Sequence, residues 1–105
     1  MKRITWSAFS VKCLEEIRDF IATESGSREI ADRYVSKIIN RTDQLSRAPE
    51  SGQEEDMLKS FDGDFRYLVE GNYKIIYENT LNGVFILDVF HTRQHPRKIR
   101  RSKKK

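Results

Sequence analysis

Apolar residues near the N-terminus first alternate with polar ones and then recur with a helical period. Ile4 and Trp6 share one face of a short predicted strand over residues 2–6. The next apolar residues recur about every four positions, as on the buried face of a helix. That predicted stripe contains Phe9, Cys13, Leu14, Ile17, Phe20 and Ile21. Ser7 is the predicted N-cap of this helix, and Gly26 is its predicted C-terminal end.

A second helix is predicted directly after the first. Ser27 is a suitable N-cap, and Pro49 closes the segment. The predicted buried stripe contains Ile30, Ala31, Tyr34, Val35, Ile38, Thr42 and Leu45. Because so few residues join the two helices, we expect them to pack as an antiparallel αα-hairpin.

Residues 47–63 have no regular period and predict an exposed loop. Three apolar residues in its second half are expected to hold it against the core: Met57, Leu58 and Phe61. The acidic run Glu54-Glu55-Asp56 offers carboxylates for a general base, or it is simply the solvated part of the loop. A loop this long in a small domain is either a functional segment or a crossover from helix to sheet.

The last third of the chain predicts an antiparallel meander. The predicted strands cover residues 65–70, 73–78 and 84–91, with turn signals at Gly71-Asn72 and Asn82-Gly83. The third strand is almost entirely apolar, apart from Asp88, which favours a central position in the sheet. The expected fold is therefore an α+β domain of two layers in the order β-α-α-β-β-β. Its helical hairpin packs on a mainly antiparallel four-stranded sheet.

Charge divides the chain into an acidic body and a basic end. From His91 onward there are eight basic residues and no acidic one, whereas residues 1–90 carry 12 basic and 16 acidic side chains. We expect one domain over residues 1–95 and a basic tail over 96–105. Such a tail favours a polyanion, either a nucleic acid or an acidic protein segment, although a solvated terminus is an equally simple interpretation.

Composition narrows the classes of protein further. A chain of 105 residues suits one domain, and its single cysteine, Cys13, excludes an internal disulfide and is expected in the core. No apolar stretch is long enough to span a bilayer, and the N-terminus lacks a signal peptide. A cytoplasmic location without membrane attachment is therefore expected.

Signals of catalysis are few. The sequence has no glycine-rich phosphate loop, nucleophile motif or set of metal ligands, so we expect no cofactor and no metal. His91 and His95 are four residues apart but lack further ligands. His91 ends a strand and is either a general acid–base or a structural cap.

Arg66 lies early in a strand with aromatic neighbours. Its guanidinium can bind phosphate or pair with a carboxylate of the protein itself. Three tyrosines of the meander offer stacking faces or hydroxyl groups, or they are packing residues with one wet end: Tyr67, Tyr73 and Tyr77.

The whole chain resembles the RelE/ParE toxin superfamily of bacterial type II toxin–antitoxin systems. The matching segments are Trp6-Ser7, residues 14–22, Pro49-Glu50-Ser51-Gly52, residues 66–69, residues 71–77 and residues 89–94. The superfamily's fold has the order of elements predicted above. The segments 71–77 and 91–94, together with Pro49–Gly52, are more similar to the ParE branch.

The resemblance implies one of two activities. ParE-like members inhibit DNA gyrase by stabilising its cleaved complex with DNA, and they have no known catalytic site. RelE-like members are endoribonucleases that cleave mRNA on the ribosome, and on that alternative Arg66, His91 and Arg93 are the catalytic candidates. Residues expected to bind the target or a nucleic acid are Arg66, Lys74, Arg93, Arg97, Lys98, Arg100 and Arg101. A non-toxic binding module on the same fold is a third possibility.

The resemblance also implies a partner. A cognate antitoxin is expected to fold its C-terminal segment over the helical hairpin or the sheet, which gives a toxin–antitoxin hetero-oligomer. The other expected partner is DNA gyrase, or the ribosome with its mRNA on the alternative reading.

Overall fold

Two helices and five strands form the part of the chain that the structure, a computed structural model, describes, which is residues 1–93. The helices are α1 (Ala8–Ser25) and α2 (Arg28–Arg41). The strands are β1 (Ile4–Trp6), β2 (Gln53–Glu54), β3 (Asp64–Glu70), β4 (Tyr73–Thr80) and β5 (Gly83–His91). Two short 3₁₀ turns lie at Thr42–Ser46 and Asp56–Leu58.

The predicted caps fix the bounds of the helical hairpin. The Ser7 hydroxyl accepts from the Ser10 N–H at 3.0 Å, and the Ser27 hydroxyl accepts from the Ile30 N–H at 3.2 Å. Gly26 ends α1 with a φ of 70°, a left-handed conformation that glycine adopts without strain. The second helix is shorter than predicted, and the 3₁₀ turn that follows it places Leu45 in the core.

The strands form one sheet in the order β1-β5-β4-β3-β2. The meander of β3, β4 and β5 is antiparallel, whereas β1 runs parallel to β5, with Ile4 opposite Val84. The predicted two-layer α+β class is confirmed, but the sheet has five strands rather than four. The additional strand is β2, whose two residues pair with Arg66 and Tyr67 and are too few to show a sequence period.

The main core lies between the helical hairpin and the sheet. It is built from Cys13, Leu14, Ile38, Leu45, Leu68, Tyr73, Ile75, Tyr77, Val84, Ile86 and Val89. Ile86 and Val89 both belong to it although they are three residues apart, because the β4–β5 register shifts between them. Asp88 lies within this irregular segment, only 2% exposed, and the Cys13 Sγ donates to its Oδ1 at 3.4 Å.

The opposite face of the sheet is covered by the segment that follows β2. A second buried cluster there contains Leu58, Phe65, Ile76 and Phe90, with Phe61, Tyr67 and Leu87 packed at its margin. Of the three predicted anchors of the loop, Leu58 is buried and Phe61 is partly buried, whereas Met57 faces solvent. The long loop is therefore held on this face of the sheet mainly by Leu58 and Phe61.

The predicted apolar stripes of the helices are wider than the surfaces that pack. Phe20 is 60% exposed, Tyr34 is 49% exposed and Ile30 is 37% exposed, so their predicted burial is wrong. A stripe predicted from spacing alone thus includes side chains that remain largely exposed on the helix surface. Neither of these two helices is long and apolar enough to cross a membrane.

Cys13 gives a first testable prediction. Burial raises the pKa of its thiol from 9.0 to about 11. An unfolded chain loses this proton near pH 9, so the thiol's contribution to stability is complete below that pH and declines as pH rises toward 11. At pH 9 we expect an alkylating reagent to modify the native thiol at least about fiftyfold more slowly than the urea-unfolded thiol. Mass spectrometry of timed samples measures both rates, and equal rates would contradict the buried position.

Candidate functional site

Arg66 is bound within the protein. On β3 its Nε donates to the Asp64 Oδ1 at 2.9 Å, and its Nη1 donates to the backbone carbonyls of Glu50 and Gly52, each at 3.0 Å. The side chain is 19% exposed. The sequence allowed Arg66 either to bind phosphate or to pair with a carboxylate of the protein, and in the structure it pairs with a carboxylate.

Tyr77 also binds the loop that contains Glu50 and Gly52. Its hydroxyl donates to the Pro49 carbonyl at 2.7 Å and accepts from the Gly52 N–H at 2.9 Å. Burial raises the pKa of this hydroxyl, so it stays protonated and able to donate. Together, Arg66 and Tyr77 fix the segment Pro49–Gly52, the 49–52 loop, against the sheet.

Lys74 lies on the other face of the sheet, in contact with the acidic run. Its Nζ is 2.6 Å from the Glu55 Oε1 and 4.1 Å from the centre of the Tyr67 ring. Glu55 is 4% exposed, and its Oε2 accepts from the Met57 N–H at 2.9 Å. The positive charge of Lys74 is thus matched by a buried carboxylate.

The remaining members of the acidic run face solvent. Glu54 is exposed on β2, and Asp56 pairs with Lys59 at 3.1 Å on the surface. The Tyr67 hydroxyl donates to the Gln53 Oε1 at 2.8 Å, so this tyrosine also ties the loop to β3. These contacts make the run part of the covering segment, with one buried carboxylate and two solvated ones.

His91 and Arg93 lie together at the end of β5. The His91 ring packs edge-on against Tyr73 with centroids 5.6 Å apart, and its Nδ1 accepts from the Arg93 N–H at 3.2 Å. The Thr92 N–H donates to the Asn72 carbonyl at 2.8 Å and fixes the chain there. The Arg93 side chain is exposed, and His91 is half-buried.

The structure does not bring Arg66 close to His91. Arg66 lies opposite Tyr77 and His91 lies opposite Tyr73, so they are separated by four residues along β4. They are also on opposite sides of that strand. At about 3.3 Å per residue and about 5 Å per strand, their Cα atoms are roughly 16 Å apart. The three residues suggested for RNA cleavage therefore form a pair, His91 with Arg93, and a distant arginine.

A further set of residues on α2 was not recognised as a site from the sequence. The Lys37 Nζ lies 6.0 Å from the centre of the Tyr34 ring, and the Arg41 Nε donates to the Val69 carbonyl at 3.1 Å. The pKa of Tyr73 is raised, first by burial and then by the nearby Tyr34. Tyr34, Lys37 and Arg41 are spaced three and four residues apart, which places them on one face of α2. The sequence did not single out this face, because Tyr34 also has the spacing of a buried residue.

Four predicted target-binding residues lie outside the described part of the chain: Arg97, Lys98, Arg100 and Arg101. Among residues 1–93, no three His, Cys, Asp or Glu side chains are grouped as a metal site would require. A concave surface of about 450 Å³ beside the acidic run has four acidic residues among its eight lining residues: Glu54, Glu55, Asp62 and Asp64.

The described elements define a small two-layer α+β domain, and comparison with known proteins gives its family. The sequence model of the ParE toxin of the type II toxin–antitoxin system parDE matches residues 4–96. The chain therefore belongs to the ParE toxin family. No curated protein matches it.

A solved structure supports the fold. The chain is similar to a structure described as the chromosomal ParDE TA system from P. aeruginosa, with a TM-score of 0.71 and 18% sequence identity. The match covers 87% of this chain and 96% of the other. At this identity the likeness concerns the fold, which agrees with the two-layer architecture described above.

Proposed function

We propose that this protein inhibits DNA gyrase and is neutralised by a cognate antitoxin in the cytoplasm. The observation that carries the proposal is the match of the ParE toxin family over residues 4–96, nearly the whole described chain. On this proposal the protein acts by binding gyrase and has no catalytic residues of its own.

The arrangement of the candidate side chains favours this proposal over RNA cleavage. In-line attack on a phosphodiester needs a base, an acid and a cation close to one phosphate. Arg66 is already bonded to Asp64 and to two loop carbonyls, and it lies roughly 16 Å from His91. Rearranging it to meet an RNA would break the bond to Asp64 and the two hydrogen bonds that hold the 49–52 loop.

The exposed apolar residues of the hairpin support an antitoxin partner. Apolar side chains that are 37–60% exposed lie on both helices: Val11, Phe20, Ile30, Tyr34 and Ile39. A protein partner that folds over the hairpin would remove this surface from water, at roughly 25 cal/mol for each Å² buried. The antitoxin and this chain would then form a hetero-oligomer.

The test is a reaction with purified bacterial gyrase, relaxed plasmid and the full-length protein. We expect loss of supercoiling together with linear plasmid, released by detergent and protease, because a stabilised cleavage complex contains a double-strand break. A parallel reaction with ribosomes and a labelled mRNA is expected to leave the mRNA intact. Heat-denatured protein is the control in both reactions.

Pulse labelling of bacteria after induction separates the alternatives in the cell. Thymidine incorporation that falls before methionine incorporation supports gyrase inhibition. The reverse order, with mRNA cuts that disappear in His91→Ala or Arg66→Ala, would establish the RelE-like endonuclease instead. Normal growth with soluble, folded protein would establish a non-toxic binding module.

A further inference from the structure

One corner of the molecule combines exposed cations with aromatic rings. It is formed by Tyr34 and Lys37 on α2, Tyr73 on β4, and His91 and Arg93 at the end of β5, and we name it the basic corner. Lys37 lies over the Tyr34 ring, and Tyr73 contacts His91. The Arg41 Nε, one turn beyond Lys37 on α2, donates to the Val69 carbonyl at 3.1 Å, which places this part of α2 beside the β3–β4 turn where Tyr73 begins β4. Tyr34 is also near enough to Tyr73 to raise its pKa. The Arg93 N–H closes the set by donating to His91.

The cations of this corner are available, unlike those elsewhere on the sheet. Lys37 and Arg93 are exposed, and no carboxylate within the described residues pairs with either. By contrast, Arg66 is bonded to Asp64 and Lys74 to Glu55. Glu70 at the end of β3 lies opposite Tyr73 and is partly buried, and no ion pair joins it to Lys37 or Arg93 within the described residues.

The sequence that continues from Arg93 is strongly basic. Arg93 is the first of eight basic residues in the segment 91–105, which contains no acidic residue. Seven further positive charges therefore follow Arg93 in the sequence. Such a concentration of charge matches a polyanion with regularly repeated phosphates much better than it matches a single anion.

We infer that the basic corner binds the phosphate backbone of a nucleic acid directly, without gyrase. Lys37 and Arg93 neutralise phosphates of the bound strand. Tyr34, with a ring that is 49% exposed, offers a face on which an unpaired base can stack. This binding does not depend on the proposed inhibition of gyrase, because the phosphate contacts and the base stacking involve only this protein and the nucleic acid.

Fluorescence anisotropy with the full-length protein tests the inference. The probes are a labelled duplex of about 20 base pairs and one of its strands alone, each titrated at several salt concentrations. We expect the double variant Lys37→Ala/Arg93→Ala to weaken binding at least about tenfold at 0.1 M salt. The slope of log K against log salt should fall by about two, one for each lost phosphate contact.

A second pair of exposed cations, outside the basic corner, gives the control. Arg3 before β1 and Lys12 on α1 are also exposed, and the variant Arg3→Ala/Lys12→Ala removes the same charge. We expect this control to lower the salt slope by less than half as much. If the two double variants behave alike, or if the unchanged protein binds neither probe, the inference is wrong.

Tyr34 distinguishes single strands from duplex as the ligand. Tyr34→Ala is expected to weaken binding of the single strand at least about fivefold and to leave the duplex unaffected, whereas Tyr34→Phe keeps the stacking face. Equal effects of the corner variant on both probes, with no effect of Tyr34→Ala, would assign the corner to duplex DNA. Circular dichroism confirms that each variant is folded.

Discussion

Replacing Gly52 by alanine is expected to lower the free energy of unfolding by about 3 kcal/mol or more. A Cβ at this position would lie 2.5 Å from the Tyr77 hydroxyl oxygen and 2.7 Å from the backbone carbonyl of Tyr67. Neither neighbour can move freely, because Tyr77 is fully buried and Tyr67 is part of the β3 ladder. The 49–52 loop must therefore lift, which breaks its bonds to Tyr77 and Arg66.

Gly71→Ala is the matched control for this prediction. Gly71 has a φ of +58° but no atom within 4 Å of the position a Cβ would take, so the substitution costs backbone strain alone, about 1 kcal/mol. Gly52, in contrast, does not have a positive φ. Urea denaturation of both variants gives the comparison. A loss at Gly52 no larger than that at Gly71 would show that the loop is not packed as described.

The regular elements could be predicted from the sequence because each has its own local signal. Ser7, Gly26 and Ser27 cap the helices in a way that depends on only a few neighbouring residues. The hairpin turns and the alternation in β3 and β4 are equally local. The two-residue strand β2 could not be predicted, because it forms only where Arg66 and Tyr77 hold the loop that leads into it.

The burial of the helix margins could not be predicted for a related reason. Tyr34 and Phe20 have the spacing of core residues, but spacing alone does not tell how far the sheet extends beneath a helix. The partners of the candidate site residues likewise depend on contacts between segments that are distant in sequence. Arg66 had two chemically reasonable partners in sequence, and only the position of Asp64 and the 49–52 loop assigns it to the protein itself.

Two pairs of basic side chains thus have different roles. Arg66 is paired with Asp64 and fixes the 49–52 loop, whereas Lys74 pairs with Glu55 of the segment that covers the other face of the sheet. Lys37 and Arg93 remain exposed at the basic corner. Substituting the first pair tests stability, whereas substituting the second pair tests recognition, so a loss of toxicity must be compared with the amount of folded protein.

Lys74→Met is expected to lower the free energy of unfolding by about 3 kcal/mol, because it leaves the Glu55 carboxylate buried without its cation. Glu55→Gln should cost less, since Lys74 is 22% exposed and can turn toward water while the amide oxygen still accepts from the Met57 N–H. The double variant Glu55→Gln/Lys74→Met should recover part of the loss, with a coupling energy of about 2 kcal/mol.

Denaturation of the four proteins at pH 7 measures this cycle, and Lys59→Met supplies the surface comparison. The Lys59–Asp56 pair is also within ion-pair distance, with N···O at 3.1 Å, but both side chains are mostly exposed, so we expect no measurable change there. Additive effects of the two substitutions would show that Lys74 and Glu55 act independently. Lys74 would then be available to bind the target, as predicted from the sequence.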